Sequence, residues 1–251
     1  MSRASWRTAT NEPPMRVRVL GIGMGPGQVT GEVAAALADA DYVVAARKRD
    51  ADPLLEVRRE LCADYGLDLV AVPDPPRDRE PDDYPGAVAD WHEARVAAYA
   101  AVLRERGGTA AFLVWGDPSL YDSTIRIVRR LAELLPLEWD VLPGISAPQL
   151  LAARHRIVLH EVGEPVHVTT GRQLRRAVES GQRNLVVMLN AGLDLDGLDD
   201  WRIWWGANLG AAGEELVAGR VGDVRDELLA ARERARTTAG WLMDVYLLRG
   251  N

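Results

Sequence analysis

The sequence predicts an α/β protein of two α/β domains, with a mostly parallel sheet in the N-terminal half and a mixed sheet in the C-terminal half. Three observations predict it. Apolar runs and helical periodicities alternate regularly through the first 142 residues, the order that builds parallel sheets covered by helices. Three of the predicted strands end in glycine- or proline-containing turns: Gly21-Ile-Gly-Met-Gly-Pro-Gly27, Gly116-Asp117-Pro118 and Pro143-Gly-Ile-Ser146. Beyond about residue 162 strands follow strands, which points to mixed pairing in the second half.

Taken in order, residues 16–22 read as a buried strand. Thr30 caps a helix over 30–40, with Ala34, Leu37 and Ala38 as its apolar stripe. A short strand follows at 42–46. Helical spacing of Leu54, Leu55, Val57 and Leu61 marks a helix over 54–65, and Pro73 stops a third strand at 67–72. The Pro- and Asp-rich stretch 73–85 reads as a loop, and 86–106 as a long helix. The apolar run 110–115 is the fourth strand, followed by a helix over 124–134 and a strand at 139–142. The pattern then loosens, and a domain boundary is expected near 145–162. Strands are predicted at 166–169, 185–189, 202–209 and 241–248, with helices over 172–179 and 224–236. The domains are thus 15–148 and 162–251, preceded by a disordered leader over 1–14.

The totals narrow the function classes. With 47% hydrophobic and 27% charged residues the composition is that of an ordinary globular protein. No apolar run approaches the roughly 18–20 residues that span a bilayer. The basic start has no apolar segment behind it and does not resemble a secretory signal. A formal net charge of −7 excludes the global positive field of a nucleic-acid binder. The single cysteine, Cys62, rules out an internal disulfide framework and fits a reducing cytoplasm. Zinc-ligand spacings are absent. Lys48 is the only lysine, so the cations are almost all arginine, whose planar fork suits carboxylates and phosphates. A genome biased toward Arg codons explains most of that excess.

The three turns carry the candidate chemistry. The first glycine cluster would suit close backbone approach to a ligand, but a dinucleotide fingerprint would want glycine where Pro26 stands. An acid at the end of the second strand is missing too, since Ala45, Ala46 and Arg47 stand there. A turn serving only the fold accounts for this cluster equally well. Gly116-Asp117-Pro118 is sharper, because Tyr121, Asp122, Ser123 and Thr124 crowd behind it and a structural turn would not need them all. Asp122 or Ser123 is expected as the next helix's N-cap. Convergence of three strand-end turns on one sheet edge is the strongest sign of a pocket.

Arg154, Arg156 and Arg172 flank predicted junctions and are the candidate anion contacts. Arg175, Arg176 and the cluster 232–236 are expected on solvated helix faces. The four histidines lack metal-ligand spacing and read as packing or hydrogen-bonding residues. Trp201, Trp204 and Trp205 read as sheet packing or an aromatic pocket wall.

On the three turns, together with the strand carrying Met188, the chain resembles the S-adenosylmethionine-dependent tetrapyrrole methylases of cobalamin biosynthesis. Longer strings match one subgroup: 112–127 (Phe-Leu-Val-Trp-Gly-Asp-Pro-Ser-Leu-Tyr-Asp-Ser-Thr-Ile-Arg-Ile), 151–157, 163–172 and Asp90-Trp91-His92. The resemblance implies a cofactor cleft between two α/β domains, a homodimer, and methyl transfer to C1 of precorrin-5 with release of acetate. It implies S-adenosylmethionine contacts from Pro26, Gly116, Asp117, Leu120, Ser146, Ala147 and Met188. Asp117, Tyr121 and Asp122 are the acid/base candidates for acetyl removal, and Arg154, Arg156 and Arg172 would meet the substrate's carboxylates. Gln28, Val158 and His160 depart from the family's usual acid, proline and asparagine. Another tetrapyrrole specificity, an NAD(P)-dependent oxidoreductase and a non-catalytic nucleotide-binding module are the competing readings.

Overall fold

The computed structural model describes residues 15–47, 53–75 and 84–250. The predicted leader (1–14) and most of the predicted loop after the third strand (76–83) lie outside them. The first half reads, in chain order, β1 (Met15–Gly21), α1 (Gly31–Ala38), β2 (Tyr42–Arg47), α2 (Pro53–Asp64) and β3 (Asp68–Pro73). It continues with α3 (Tyr84–Arg106), β4 (Thr109–Val114), α4 (Thr124–Leu134) and β5 (Leu137–Leu142). The second half contains α5 (Ala147–His155), β6 (His167–Thr170), α6 (Leu174–Glu179), β7 (Asn184–Met188), β8 (Arg202–Ala207), β9 (Glu215–Arg220), α7 (Val221–Ala239) and β10 (Asp244–Arg249).

The strands form two five-stranded sheets, ordered β3-β2-β4-β1-β5 and β6-β7-β10-β8-β9. In the first, β2 runs parallel to both β3 and β4. In the second, β6 and β7 are parallel while β10 is antiparallel to β7 and β8, and β9 to β8. The expected parallel and mixed sheets are therefore both present. Packing groups the described residues into two compact units, those within Met1–Val19, Ala36–Leu113 and Ser123–Val141, and those within Leu20–Ala35, Val114–Asp122 and Leu142–Asn251. The turns leaving β1, β4 and β5 thus belong with the C-terminal part of the chain.

Local chemistry explains the elements. Thr30 Oγ1 accepts the Val33 N–H at 3.2 Å and caps α1. The apolar run of β2 is buried on both faces, as a strand inside a parallel sheet requires. Arg16 and Arg18 both reach Asp140, at 2.8 and 3.1 Å, and clip β1 to β5. In the second sheet the period of two sorts side chains into two cores. Leu185, Val187, Ile203, Trp205, Tyr246 and Leu248 pack with Leu228, Ala231 and Ala235 of α7. Val186, Val245 and Leu247 point the other way, with Leu150 and Leu151 of α5, Met24 and Leu209. Trp201 and Trp205 are buried in the first of these cores. Trp204 flanks the second, with the guanidinium groups of Arg202 and Arg249 each 5.3 Å from its ring.

Two elements differ from the sequence reading. Residues 145–162, expected as a domain boundary, contain α5. The Gln149 carbonyl oxygen accepts both the N–H and the hydroxyl of Ser146, at 2.9 and 2.8 Å, and starts a nine-residue helix. Strand β9 was not anticipated: its burial alternates, but Leu216 and Ala218 take exposed positions while Glu215 and Gly219 face inward with Val217, so the sequence carries no period-two signal there. Among the described residues no helix is long and apolar enough to cross a membrane.

Two glycines at the strand ends of the second unit, Gly21 and Gly144, have no room for a side chain. A Cβ on Gly21 would stand 2.5 Å from the Gly144 nitrogen and 2.9 Å from the Gly116 oxygen. One on Gly144 would run into the Gly116 oxygen and stand 2.6 Å from the Gly21 carbonyl. All the colliding atoms are backbone, so relief would require moving a strand end. Gly144→Ala is expected to lower stability by about 1–3 kcal/mol, read as a reduced urea midpoint with an unchanged slope.

Candidate functional site

The turn after β4 is the centre of the site. Gly116 lies in the left-handed region (φ 73°), where glycine is favoured. Its N–H donates to the Gly23 carbonyl at 2.8 Å, and the Gly23 N–H donates back at 3.3 Å. The next residue, Asp117, links two turns. Its Oδ1 accepts the Ser119 N–H at 2.8 Å and also the Ser119 hydroxyl, while Oδ2 accepts the Gly144 N–H at 3.0 Å. Burial pulls the Asp117 pKa upward, but the hydrogen bonds from the Ser119 hydroxyl, the Gly144 N–H and the Ser119 N–H outweigh it and leave the carboxyl below its ordinary range. Asp117 is therefore ionised at neutral pH and is an acceptor only.

A cavity of about 360 Å³ opens beside this turn, and every residue lining it lies in the second unit. The β4 turn contributes Trp115, Gly116, Asp117, Leu120, Tyr121 and Asp122, and the start of α5 contributes Ser146 and Ala147. The end of β7 supplies Met188 to Ala191; Met24, Leu209 and the segment 242–245 complete the wall. The lining is mostly apolar, with a few polar groups at defined places, as in small-molecule sites.

Part of that wall is held by a buried ionic network. The Asp244 side chain is 1% exposed and pairs with Arg232 Nε of α7 at 2.9 Å. It also accepts from Trp205 Nε1 at 3.2 Å and from Asn190 Nδ2 at 3.0 Å. Arg232 Nη2 donates to the carbonyls of Asn190 and Ala191, at 3.4 and 3.2 Å. The solvated face expected for 232–236 is thus corrected at Arg232, whose side chain is 12% exposed. Its i, i+3/i+4 neighbours Leu228 and Ala235 are buried, so the helix turns this arginine inward. Asn208 fastens the opposite stretch: its Oδ1 accepts the Met243 N–H at 3.1 Å.

The structure brings most of the sequence-derived site residues together. Gly116, Asp117, Leu120, Ser146, Ala147 and Met188 all line the cavity, as do the acid/base candidates Tyr121 and Asp122. Pro26 does not; it is exposed at the start of a 3-10 turn, and the first loop reaches the wall through Met24 instead. None of the three candidate arginines lines it. Arg154 pairs with Glu214 at 2.7 Å, Arg156 is the left-handed C-cap of α5, and Arg172 is exposed in a 3-10 turn. The N-cap of α4 is Ser123, which makes no side-chain cap bond. His155 bonds the Trp205 carbonyl at 2.9 Å, in the packing role expected of it. Sequence reasoning missed the wall from 189–191, 209 and 242–245. These residues come from the ends of β7, β8 and β10, and only the sheet order makes them neighbours.

Because the Asp117 pKa is lower folded than its unfolded value near 3.8, the group adds stability above that value and loses it as pH falls through the folded pKa. Asp117→Asn is expected to destabilise the protein by about 1–3 kcal/mol near neutrality, since its amide must face the Ser119 or Gly144 donors. Acid unfolding curves of the variant should lose part of the pH dependence below about pH 4; parallel curves for both proteins would contradict this.

Residues 18–225 match the family model described as tetrapyrrole (corrin/porphyrin) methylases. A Sinorhizobium sp protein named precorrin-6A synthase [deacetylating] is 42% identical over 247 residues, 93% of this chain and 95% of that protein. The solved structure of a cobalamin synthesis related protein (CobF) from Corynebacterium diphtheriae is 36% identical with a TM-score of 0.80, covering 94% of this chain and 98% of that one. Uroporphyrin-III-C-methyltransferase from Thermus thermophilus shares the fold at 21% identity, with a TM-score of 0.60 and coverage of 94% and 92%.

Proposed function

The chain belongs to the tetrapyrrole (corrin/porphyrin) methylases, and from that premise we propose that it transfers a methyl group from S-adenosylmethionine to C1 of precorrin-5 and releases acetate, giving precorrin-6A. The observation that carries this reading is the meeting of the β4, β5 and β7 ends in one cavity, combined with near full-length similarity to the deacetylating relative. The same reading includes a homodimer acting in the cytoplasm.

The residues present fit the methyl donor. The cavity is of nucleoside-ligand size, near the lower end of the ~300–1,000 Å³ typical of small-molecule pockets. Gly116 leaves its wall open: a Cβ there would stand 3.3 Å from the Met24 sulfur. The ionised Asp117 favours a cationic ligand beside it, and three accepted hydrogen bonds leave one of its roughly four lone-pair directions for a donor. Ser146 and Ala147, at the N-terminus of α5, favour a carboxylate. Bound there, S-adenosylmethionine supplies an already activated sulfonium methyl group.

What remains for the chain is placement and exclusion of water, and such positioning supplies about 7–11 kcal/mol of barrier lowering. Met24, Trp115, Met188 and Met243 form a soft apolar wall suited to both tasks. Loss of acetate requires a water to add to the acetyl carbonyl. The bond from that carbon to the macrocycle then breaks, its electron pair stays with the macrocycle, and the water proton passes to an acceptor. Asp117 is occupied by Ser119 and Gly144, so Tyr121 and Asp122 are the better groups to handle that proton. A dinucleotide is disfavoured because the Gly23 and Gly116 N–H groups bond to each other's carbonyls rather than facing a pyrophosphate.

S-Adenosylhomocysteine should raise the melting temperature, and NAD(P) should leave it unchanged; the reverse pattern would overturn the cofactor assignment. Tyr121→Phe should slow acetate release from precorrin-5 by about 10²–10⁴-fold if the phenol takes part in proton transfer. Wild-type acetate release from this variant would remove Tyr121 from the chemistry.

A further inference from the structure

Four non-glycine residues among those described adopt left-handed backbone: Tyr121 (φ 52°), Arg156 (φ 56°), Leu189 (φ 54°) and Asn208 (φ 48°). Two have an internal reason. Arg156 ends α5, its N–H donating to the Ala153 carbonyl at 3.2 Å, and a left-handed residue is a common helix ending. Asparagine tolerates this region; Asn208 is buried, with its side chain bonded to Ala235, Trp241 and Met243.

Leu189 has no such reason. An apolar γ-branched side chain gains nothing from this conformation, and its side chain is not packed away, since the residue is 60% exposed. Its backbone turns because the next two residues are pinned. Asn190 Nδ2 reaches both the carbonyl and the carboxylate of Asp244, at 3.2 and 3.0 Å, and Arg232 holds the Asn190 and Ala191 carbonyls. The turn carries the leucine to the cavity wall. Tyr121, 47% exposed, lines the same cavity in the same unfavourable conformation. Strain persists where its surroundings impose it, and it gathers at ligand-binding sites.

An exposed apolar residue gains stability only when something covers it. A cavity of about 360 Å³ that takes the methyl donor has no room for a four-ring macrocycle as well, so the macrocycle must lie across the mouth. Its flat apolar face is the surface that matches an exposed leucine and a tyrosine ring. We propose that Leu189, together with the ring of Tyr121, forms an apolar rim that contacts the tetrapyrrole face and sets its position over the methyl donor. The inference rests on the methyl-donor reading of the cavity, and Leu189 acts in it as a substrate-positioning and specificity residue.

Leu189→Asn and Leu189→Gly suit the left-handed backbone while removing the apolar side chain, and Leu189→Met keeps an apolar one. Each protein is compared with wild type by melting temperature, calorimetric titration with S-adenosylhomocysteine, titration with uroporphyrin III as a stable macrocycle probe, and precorrin-5 kinetics. The expected result for Asn and Gly is an equal or higher melting temperature and S-adenosylhomocysteine affinity within twofold of wild type. Uroporphyrin Kd and precorrin-5 KM should rise at least tenfold in both, with the Met variant near wild type. Unchanged macrocycle binding overturns the assignment, as does weakening confined to S-adenosylhomocysteine. A large fall in melting temperature would mark a packing role and also overturn it. If the wild type binds S-adenosylhomocysteine and uroporphyrin but does not methylate precorrin-5, the proposed reaction fails while the macrocycle titration still decides the rim. A wild type that binds S-adenosylhomocysteine and no macrocycle overturns the rim assignment.

Discussion

The close approach of Gly21, Gly116 and Gly144 is the constraint on which the site depends. Three strand ends meet so tightly that any Cβ at Gly21 or Gly144 would collide with backbone. That density lets one carboxylate, Asp117, accept hydrogen bonds from its own turn and from the turn after β5. With the paired bonds between Gly23 and Gly116, the three turns are joined into one hydrogen-bonded floor. The ligand proposed for it would meet groups already in place, with little ordering left to be done on binding.

The remainder of the wall rests on a different kind of interaction. A buried ion pair is weak evidence for stability, because desolvation offsets most of the attraction. The Arg232–Asp244 pair is better understood through its geometry. Arginine's planar fork reaches a carboxylate and two backbone carbonyls at once, tying the loop after β7 to β10 from helix α7. The wall between Met188 and Ala191 therefore has one available course, and the strained turn at Leu189 follows from it. Removing either charge would leave its partner buried and unpaired, a far larger penalty than the net worth of the pair.

Much of the fold was legible in the chain because its signals are local. Continuous apolar runs such as that of β2 mark strands buried on both faces, and the amphipathic spacing of α4 matches its buried Ile127, Val128 and Leu131. Helix α5 also carried a local signature, Ser146 followed three residues later by Gln149, but it was obscured by proximity to the expected boundary. Arg232 could not be read this way: in a helix with three arginines between 232 and 236, only the packing of Leu228 and Ala235 shows which one turns inward. The arginines at 154, 156 and 172 illustrate the opposite case. Their sequence neighbourhood suggested an anionic ligand; Arg154 pairs with Glu214 and none of the three lines this cavity, so a contact with substrate from them would lie outside its wall.

By itself the sequence determined the α/β class, the parallel and mixed character of the two sheets, the family resemblance and the three turns with Met188 that enter the cavity. Each of these is written in residues adjacent along the chain, where hydrophobic period and turn chemistry act directly. Tertiary structure decided that Pro26 stays outside the wall, that Asp117 is held ionised between two turns, and that Arg232 and Asp244 fasten the loop bearing Leu189. Those outcomes depend on contacts between residues tens of positions apart, such as Asp117 with Gly144 and Asn190 with Asp244. Strand order and packing bring such pairs together, and no local pattern records them.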